Sequence, residues 1–176
     1  MEYSQKNSVP LLARGGGSSQ CGQTVGESVV LDYSKHQNKI LELNVEEKYV
    51  WVQPGVVLDH LNAYLKPHGL WFPVDVSTSS RATIGGMSAN NSCGSRSLYY
   101  GNMVHNVLAI EAILDDGSIF NFDQINKNYL ATKNNQDRLY KIIDKFIDVR
   151  KQVGGEIDAN WPTTQRRVGG YNIAVS

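Results

Sequence analysis

Long runs of like charge are missing from this chain, and so is any excess of one sign: 17 Lys and Arg balance 17 Asp and Glu, for a formal net charge of zero at pH 7. A nucleic-acid binder, or a protein held electrostatically on an anionic membrane, needs a basic patch. Both readings are therefore set aside, and any bound anion must be held locally. Cysteine is equally scarce. Cys21 and Cys93 are too few for a disulfide framework and lack the paired spacing of a zinc site, so no metal is expected and a reducing, cytoplasmic compartment fits best. No window approaches the roughly eighteen apolar residues of a membrane span, and the start of the chain lacks the basic-then-apolar order of a secretory signal. No integral membrane segment is expected; membrane association would have to come through other parts of a longer protein.

What is present suffices for one hydrophobic core: 41% of the 176 residues are hydrophobic and 19% are charged. Both ends read as unfinished, because an apolar segment begins as early as Val9 and the chain stops at Ser176 in what reads as an ordered stretch. A fragment of a longer enzyme is the expectation.

Along the chain, Val9 to Ala13 is a short apolar run cut off by Arg14-Gly15-Gly16-Gly17-Ser18-Ser19, which reads as a buried strand delivering a glycine-rich loop. Val29 to Leu31, Ile40 to Leu43 and Tyr49 to Val52 read as strands of a small sheet, the last of them ended by Pro54-Gly55. Leu58, Leu61 and Leu65 form the apolar stripe of a helix that His68-Gly69 terminates. The stretch from Trp71 to Asn102 is dense in Gly, Ser, Asn and Thr, and such a polar segment inside a compact domain is usually functional. Val107 to Leu114 and Ile119 to Phe122 read as a hairpin over Asp115-Asp116-Gly117-Ser118. Leu139, Ile142, Ile143, Phe146, Val149 and Val153 trace a helical face up to Gly154-Gly155. Strands and helices intersperse without regular alternation, so the fold class is α+β, with small sheets flanked by helices. Residues 1–54 form a first lobe carrying the glycine loop, and residues 55–176 a second.

Two segments carry chemistry. Three consecutive residues without Cβ, directly after a strand, let the main chain approach a ligand at Gly16 and let successive N–H groups point at one anion. Ser18 and Ser19 add hydroxyl donors, and Arg14 either pairs with charge or braces the loop. The pattern is neither a Walker A loop nor the dinucleotide fingerprint that opens a long helix. The second segment is Thr83-Ile84-Gly85-Gly86-Met87-Ser88-Ala89-Asn90-Asn91-Ser92-Cys93-Gly94, in which Thr83 is placed to cap a short helix of small residues and Asn90 and Asn91 offer amides. Each segment has a plainer reading, a flexible turn for the first and a tightly packed small-residue helix for the second. Both occurring in one small domain favours a ligand.

Pro10-Leu11-Leu12-Ala13-Arg14-Gly15-Gly16-Gly17-Ser18-Ser19 with Gly22-Gln23, Val52-Gln53-Pro54-Gly55-Val56, and Ala82-Thr83-Ile84-Gly85-Gly86 with Asn90, Gly94, Tyr100-Gly101 and Val107 together resemble the FAD-binding domain of the vanillyl-alcohol oxidase and p-cresol methylhydroxylase superfamily. Order and spacing agree over about residues 9–122. The likeness is greatest to the branch of D-lactate dehydrogenases and the glycolate oxidase flavin subunit, and Arg167 to Asn172 resembles a later family segment. The resemblance implies a PCMH-type FAD-binding domain whose usual first strand and helix, and whose cap domain, are not in this chain. It implies that Arg14, Gly15, Gly16, Gly17, Ser18 and Ser19 cradle the FAD diphosphate, helped by Ser77, Thr83, Gly85, Gly86 and Asn90. Pro54, Gly55 and Asp75 would lie near the cofactor, the main chain at Val107 would meet adenine, and Gln23, Gly94, Tyr100 and Gly101 complete the cofactor-binding set.

Ser18 stands where relatives with covalent flavin often carry histidine, so non-covalent FAD is expected. The implied activity is oxidation of a small 2-hydroxy acid, such as D-lactate or glycolate, by hydride transfer to FAD. The substrate would be gripped by the cap domain, so no catalytic residue is assigned within this chain. The rival reading is an electron-transfer module that binds flavin or nucleotide and has no substrate site. His36, His60, His68 and His105 read as surface or packing residues, and Cys93 as a buried small thiol. Apolar surface left where a cap domain packs would favour self-association.

Overall fold

The computed structural model describes residues 1–123 and 138–164; the Arg167 to Asn172 segment lies outside them. The chain divides into two compact units, Met1–Val107 and Leu108–Ser176, and the lobe boundary expected at residue 54 falls inside the first.

The first unit opens with a short helix, α1 (Glu2–Asn7), closed by Ser8 in the left-handed region at φ 52°. It buries no residue, so it left no apolar periodicity to detect. Strand β1 (Leu11–Arg14) pairs in parallel with β2 (Val29–Asp32), Leu11 opposite Val29 and Arg14 opposite Asp32. Strands β3 (Ile40–Asn44) and β4 (Tyr49–Val52) form a separate antiparallel pair. The single small sheet expected for residues 29–52 is therefore two. The connection between β3 and β4 is short and turns back through Lys48 at φ 56°, which suits a hairpin, whereas β2 is claimed by β1 at the far end of the glycine loop.

Helix α2 (Leu58–Leu65) continues as a 3₁₀ turn over Lys66–His68 and stops at Gly69, whose φ of 70° is a left-handed cap. Leu58, Leu61 and Leu65 are buried, as their spacing predicts, in a core shared with Val56, Val74, Ala82, Ile84, Met87 and Met103. Ile40, Leu43, Val50 and Val52 pack against that core, as does Val107. Three short helices follow: α3 (Ile84–Ala89), α4 (Ser97–Tyr100) and α5 (Met103–Asn106).

In the second unit, β5 (Ile110–Ile113) and β6 (Ile119–Phe122) form the expected hairpin. Its turn is fastened by Asp116, which accepts from the hydroxyl and N–H of Ser118; these bonds and Arg138 hold its carboxyl down to about 2. Helix α6 (Arg138–Asn160) does not stop at Gly154-Gly155 as predicted but runs through both. Neither glycine takes a positive φ, and the Arg150–Asp158 ion pair (2.9 Å) spans them. A mid-helix glycine costs only about 1 kcal/mol relative to alanine, too little to break a long helix. Among the described residues, no helix is long and apolar enough to cross a membrane. The mixed helices and small sheets are those of an α+β domain.

Candidate functional site around the glycine loop

The glycine loop leaves the end of β1, where ladder pairing fixes Arg14 beside Asp32. The two side chains also pair, Arg14 Nη2 to Asp32 Oδ2 at 3.5 Å. Asp32 is held below the ordinary carboxylate range first by the hydroxyl and N–H of Ser34, against some desolvation, with Arg14 adding to the effect. Arg14 Nε is buried beneath Gly17, 3.7 Å from where a Cβ would stand. Arg14 thus pairs with the charge of Asp32 and also packs under the loop at Gly17. Gly17 itself sits at φ 63°, a conformation that favours glycine.

Gly15 and Gly16 do not face open space. A Cβ at Gly15 would stand 2.0 Å from Thr83 Oγ1, and one at Gly16 would stand 2.2 Å from the Arg81 carbonyl oxygen. The close approach that the sequence assigned to a ligand at Gly16 is thus, on its Cβ side, an approach to protein. The loop is seated on residues 81–83, and Ser18 Oγ lies 3.5 Å from Thr78 Oγ1. Ser19 Oγ accepts from Gln23 Nε2 (2.6 Å) and from the Cys21 N–H (3.4 Å). Among the described residues, the main-chain N–H groups of Gly16, Gly17, Ser18 and Ser19 donate to no protein acceptor.

The first turn of α3 is the opposite case. Thr83 caps it as expected, its hydroxyl accepting from the Gly86 N–H at 3.4 Å. The Ile84 N–H donates to Val56 O (2.8 Å) and the Gly85 N–H to Pro54 O (2.9 Å). All three amide donors of that turn are occupied. Gly85 also seats Pro54, whose Cβ is 2.5 Å from the position a Gly85 Cβ would take. Gly55 is buried against the Tyr33 carbonyl and donates to Gln37 O at 2.7 Å. The site is therefore one packed assembly in which the loop rests on 78–83 and α3 rests on 54–57.

Asp75 is committed to the turn after α3. Its carboxylate accepts from the Ser95 hydroxyl (2.6 Å) and the Arg96 N–H (2.9 Å), and Gly94 lies directly against its carbonyl. Burial alone would raise its pKa, but these hydrogen bonds outweigh it and the carboxyl is lowered. Arg96 lies 5.0 Å above the Trp71 ring, and Trp71 meets Tyr100 edge-on at 5.1 Å. Ser77 and Asn90 are exposed, Asn90 closing α3. Gly101, at φ 79°, ends α4, and Val107 ends α5. No hydrogen bond among the described residues joins Asn90, Tyr100, Gly101 or Val107 to the loop. Thr78 and the Arg81 carbonyl were missed by sequence reasoning. Thr78 was concealed in a polar run, and a main-chain oxygen has no sequence signature.

His105 is structural: its Nδ1 accepts from the Asn102 N–H at 3.0 Å within a capping box. Cys93 is half-buried and Cys21 exposed.

Residues 1–123 match a family model described as FAD binding domain. The chain belongs to this FAD-binding family. A D-2-hydroxyglutarate dehydrogenase of Haemophilus influenzae is 37% identical over 173 residues, which are 94% of this chain and 17% of the relative. A mitochondrial D-lactate dehydrogenase [cytochrome] of Kluyveromyces lactis is 40% identical over 123 residues, 68% of this chain and 21% of the relative. The crystal structure of 6-hydroxy-D-nicotine oxidase from Arthrobacter nicotinovorans superposes with a TM-score of 0.64 at 18% identity, covering 73% of this chain and 28% of that one, which shows a shared fold. The chain thus spans about a sixth of the length of its D-2-hydroxyglutarate dehydrogenase relative. FAD is the family's cofactor, and the loop fits it: four amide donors without an acceptor among the described residues, directly after a strand, suit the oxygens of a diphosphate.

Proposed function

We propose that this chain is the FAD-holding domain of a dehydrogenase that oxidises a 2-hydroxy acid, with D-2-hydroxyglutarate the first substrate to test. The observation that carries this reading is the likeness to a D-2-hydroxyglutarate dehydrogenase over 94% of the chain, against 68% for the D-lactate relative. Bound FAD supplies the two-electron acceptor, and the protein's own residues bind and orient it. In this reading the N–H groups of Gly16 to Ser19 and the Ser18 hydroxyl hold the diphosphate, on a frame made by Arg14, Gly15, Pro54, Gly55, Thr83, Gly85 and Gly86. Gln23, Ser77 and Asn90 form the rim, adenine lies by the Val107 main chain, and Asp75 with Gly94 steadies the turn that leads to Tyr100 and Gly101. Ser18 leaves FAD dissociable. The groups that grip the substrate carboxylate and accept its proton come from a substrate domain outside this chain.

Exposed Trp71, Leu98, Tyr99 and Tyr100 support packing against that domain, or self-association when it is absent. Two unpaired cysteines support a cytoplasmic location. The test begins with titration of the chain by FAD, with FMN and ATP as controls. Reduction of bound FAD in the complete gene product is then followed on adding D-2-hydroxyglutarate, D-lactate or glycolate. Saturable FAD binding with bleaching by a 2-hydroxy acid is expected. A well-folded chain indifferent to FAD would sink the reading, and FAD binding without bleaching by any of the three acids would leave an electron-transfer module.

A further inference from the structure

The Thr83 hydroxyl occupies a position unlike that of the other polar groups at the site. The residue is 2% exposed, and its Oγ1 lies between two glycines of different segments. On one side a Cβ at Gly15 would stand 2.0 Å away; on the other the Gly86 N–H donates to it, and a Cβ at Gly86 would stand 3.2 Å away. The Thr83 main chain is fixed as well, bridging Val57 and accepting from the Met87 N–H at 2.8 Å. A hydroxyl so enclosed is shut off from solvent and packs directly against Gly15.

We propose that Thr83 is a positioning residue of the cofactor site: its hydroxyl is the wedge that sets the distance between the glycine loop and the first turn of α3, and it acts on FAD only through Gly15. The proposal rests on the FAD reading above. Its physical content is a division of labour. The amides of the first turn of α3 are occupied by protein acceptors, so the diphosphate is left to the amides of Gly16 to Ser19, which have no acceptor among the described residues, and the seat of Gly15 on Thr83 is what would hold that stretch in place. A contact residue and a wedge respond differently to a size swap. Adding a methyl at Gly15 drives it into Oγ1; removing that oxygen leaves the Thr83 Cβ 3.3 Å away, a contact that small shifts absorb.

The experiment is a double-mutant cycle on the 176-residue chain, with FAD affinity read by flavin fluorescence and folding by circular dichroism and thermal melting. Gly15→Ala is expected to weaken FAD binding about tenfold or more, and Gly15→Ala with Thr83→Ala to recover most of that loss, a coupling typical of residues in direct contact. Thr83→Ser in the Gly15→Ala background, which keeps the hydroxyl and with it the 2.0 Å clash, is expected to give no such recovery. A folded double-alanine variant that binds no better than Gly15→Ala would overturn the proposal, since a direct cofactor contact predicts two losses that accumulate. If Gly15→Ala alone does not fold, recovery of the melting transition in the double variant supports the wedge, and its absence counts against it. Failure of the wild-type chain to bind FAD would remove the cofactor reading itself and is separable from either result.

Discussion

At Gly94 the missing Cβ is the difference between a packed turn and a collision, because an added methyl would stand 1.6 Å from the Asp75 carbonyl oxygen. Backbone cannot swing aside as a side-chain tip can, so Gly94→Ala is expected to cost about 2 kcal/mol or more, at the upper end of overpacking penalties. A lowered urea midpoint at unchanged slope is the measurement, and an unchanged midpoint would refute the assignment. Asp75, on the other side of that contact, ties stability to pH. Its folded-state pKa lies below the ordinary 3.8, burial being outweighed by the Ser95 and Arg96 hydrogen bonds. A depressed carboxyl contributes stability that is complete above 3.8 and disappears as pH falls through the lower folded value. Asp75→Asn is therefore expected to be less stable than wild type at pH 7, with the gap closing on acidification below 3.8. Urea midpoints across pH 2 to 7 give the answer, and a gap independent of pH would show that the carboxylate charge is not what fastens the turn. At this scale the sequence showed which glycines mattered but not what they face. Gly16 was readable as a close-approach residue; that its neighbour is the Arg81 carbonyl was not, because main-chain oxygens are common to every residue.

Elements were legible where burial imposed a period. α2 follows from Leu58, Leu61 and Leu65, and its end from His68-Gly69, since all three leucines are buried and the glycine takes the left-handed cap. α1, which buries nothing, left no trace, and the pairing of β1 with β2 rather than β2 with β3 depends on tertiary contacts that strand propensity does not encode. The end of α6 was misjudged because a glycine pair is read as a stop, although in a long helix its propensity cost is small beside the turns on either side. That error makes a prediction. A Cβ at Gly155 would meet nothing within 4 Å, so Gly155→Ala is expected to stabilise the second unit by roughly 0.5–1 kcal/mol. A higher melting temperature or slower amide exchange along α6 checks it, and destabilisation would mean that the helix does stop at the pair.

Over the whole molecule, the two motif segments differ in a way that amide exchange can see. The Ile84, Gly85 and Gly86 amides are hydrogen-bonded to protein, whereas those of Gly16 to Ser19 have no acceptor among the described residues. Without FAD, the first set should exchange slowly and the second at nearly the rate of an open chain. FAD at about 100 times its dissociation constant adds about 2.7 kcal/mol to the stability of any state that binds it. If the diphosphate rests on the loop, that increment appears as new protection at Gly16 to Ser19 and as a general slowing through the core that Val56, Leu61 and Met87 share. FMN carries one phosphate rather than a diphosphate, so at equal concentration it should protect the loop less and raise the melting temperature less. Protection that first appears at Ile84 to Gly86, with the loop still open, would place the diphosphate on α3 and require the Pro54 and Val56 carbonyls to surrender their donors.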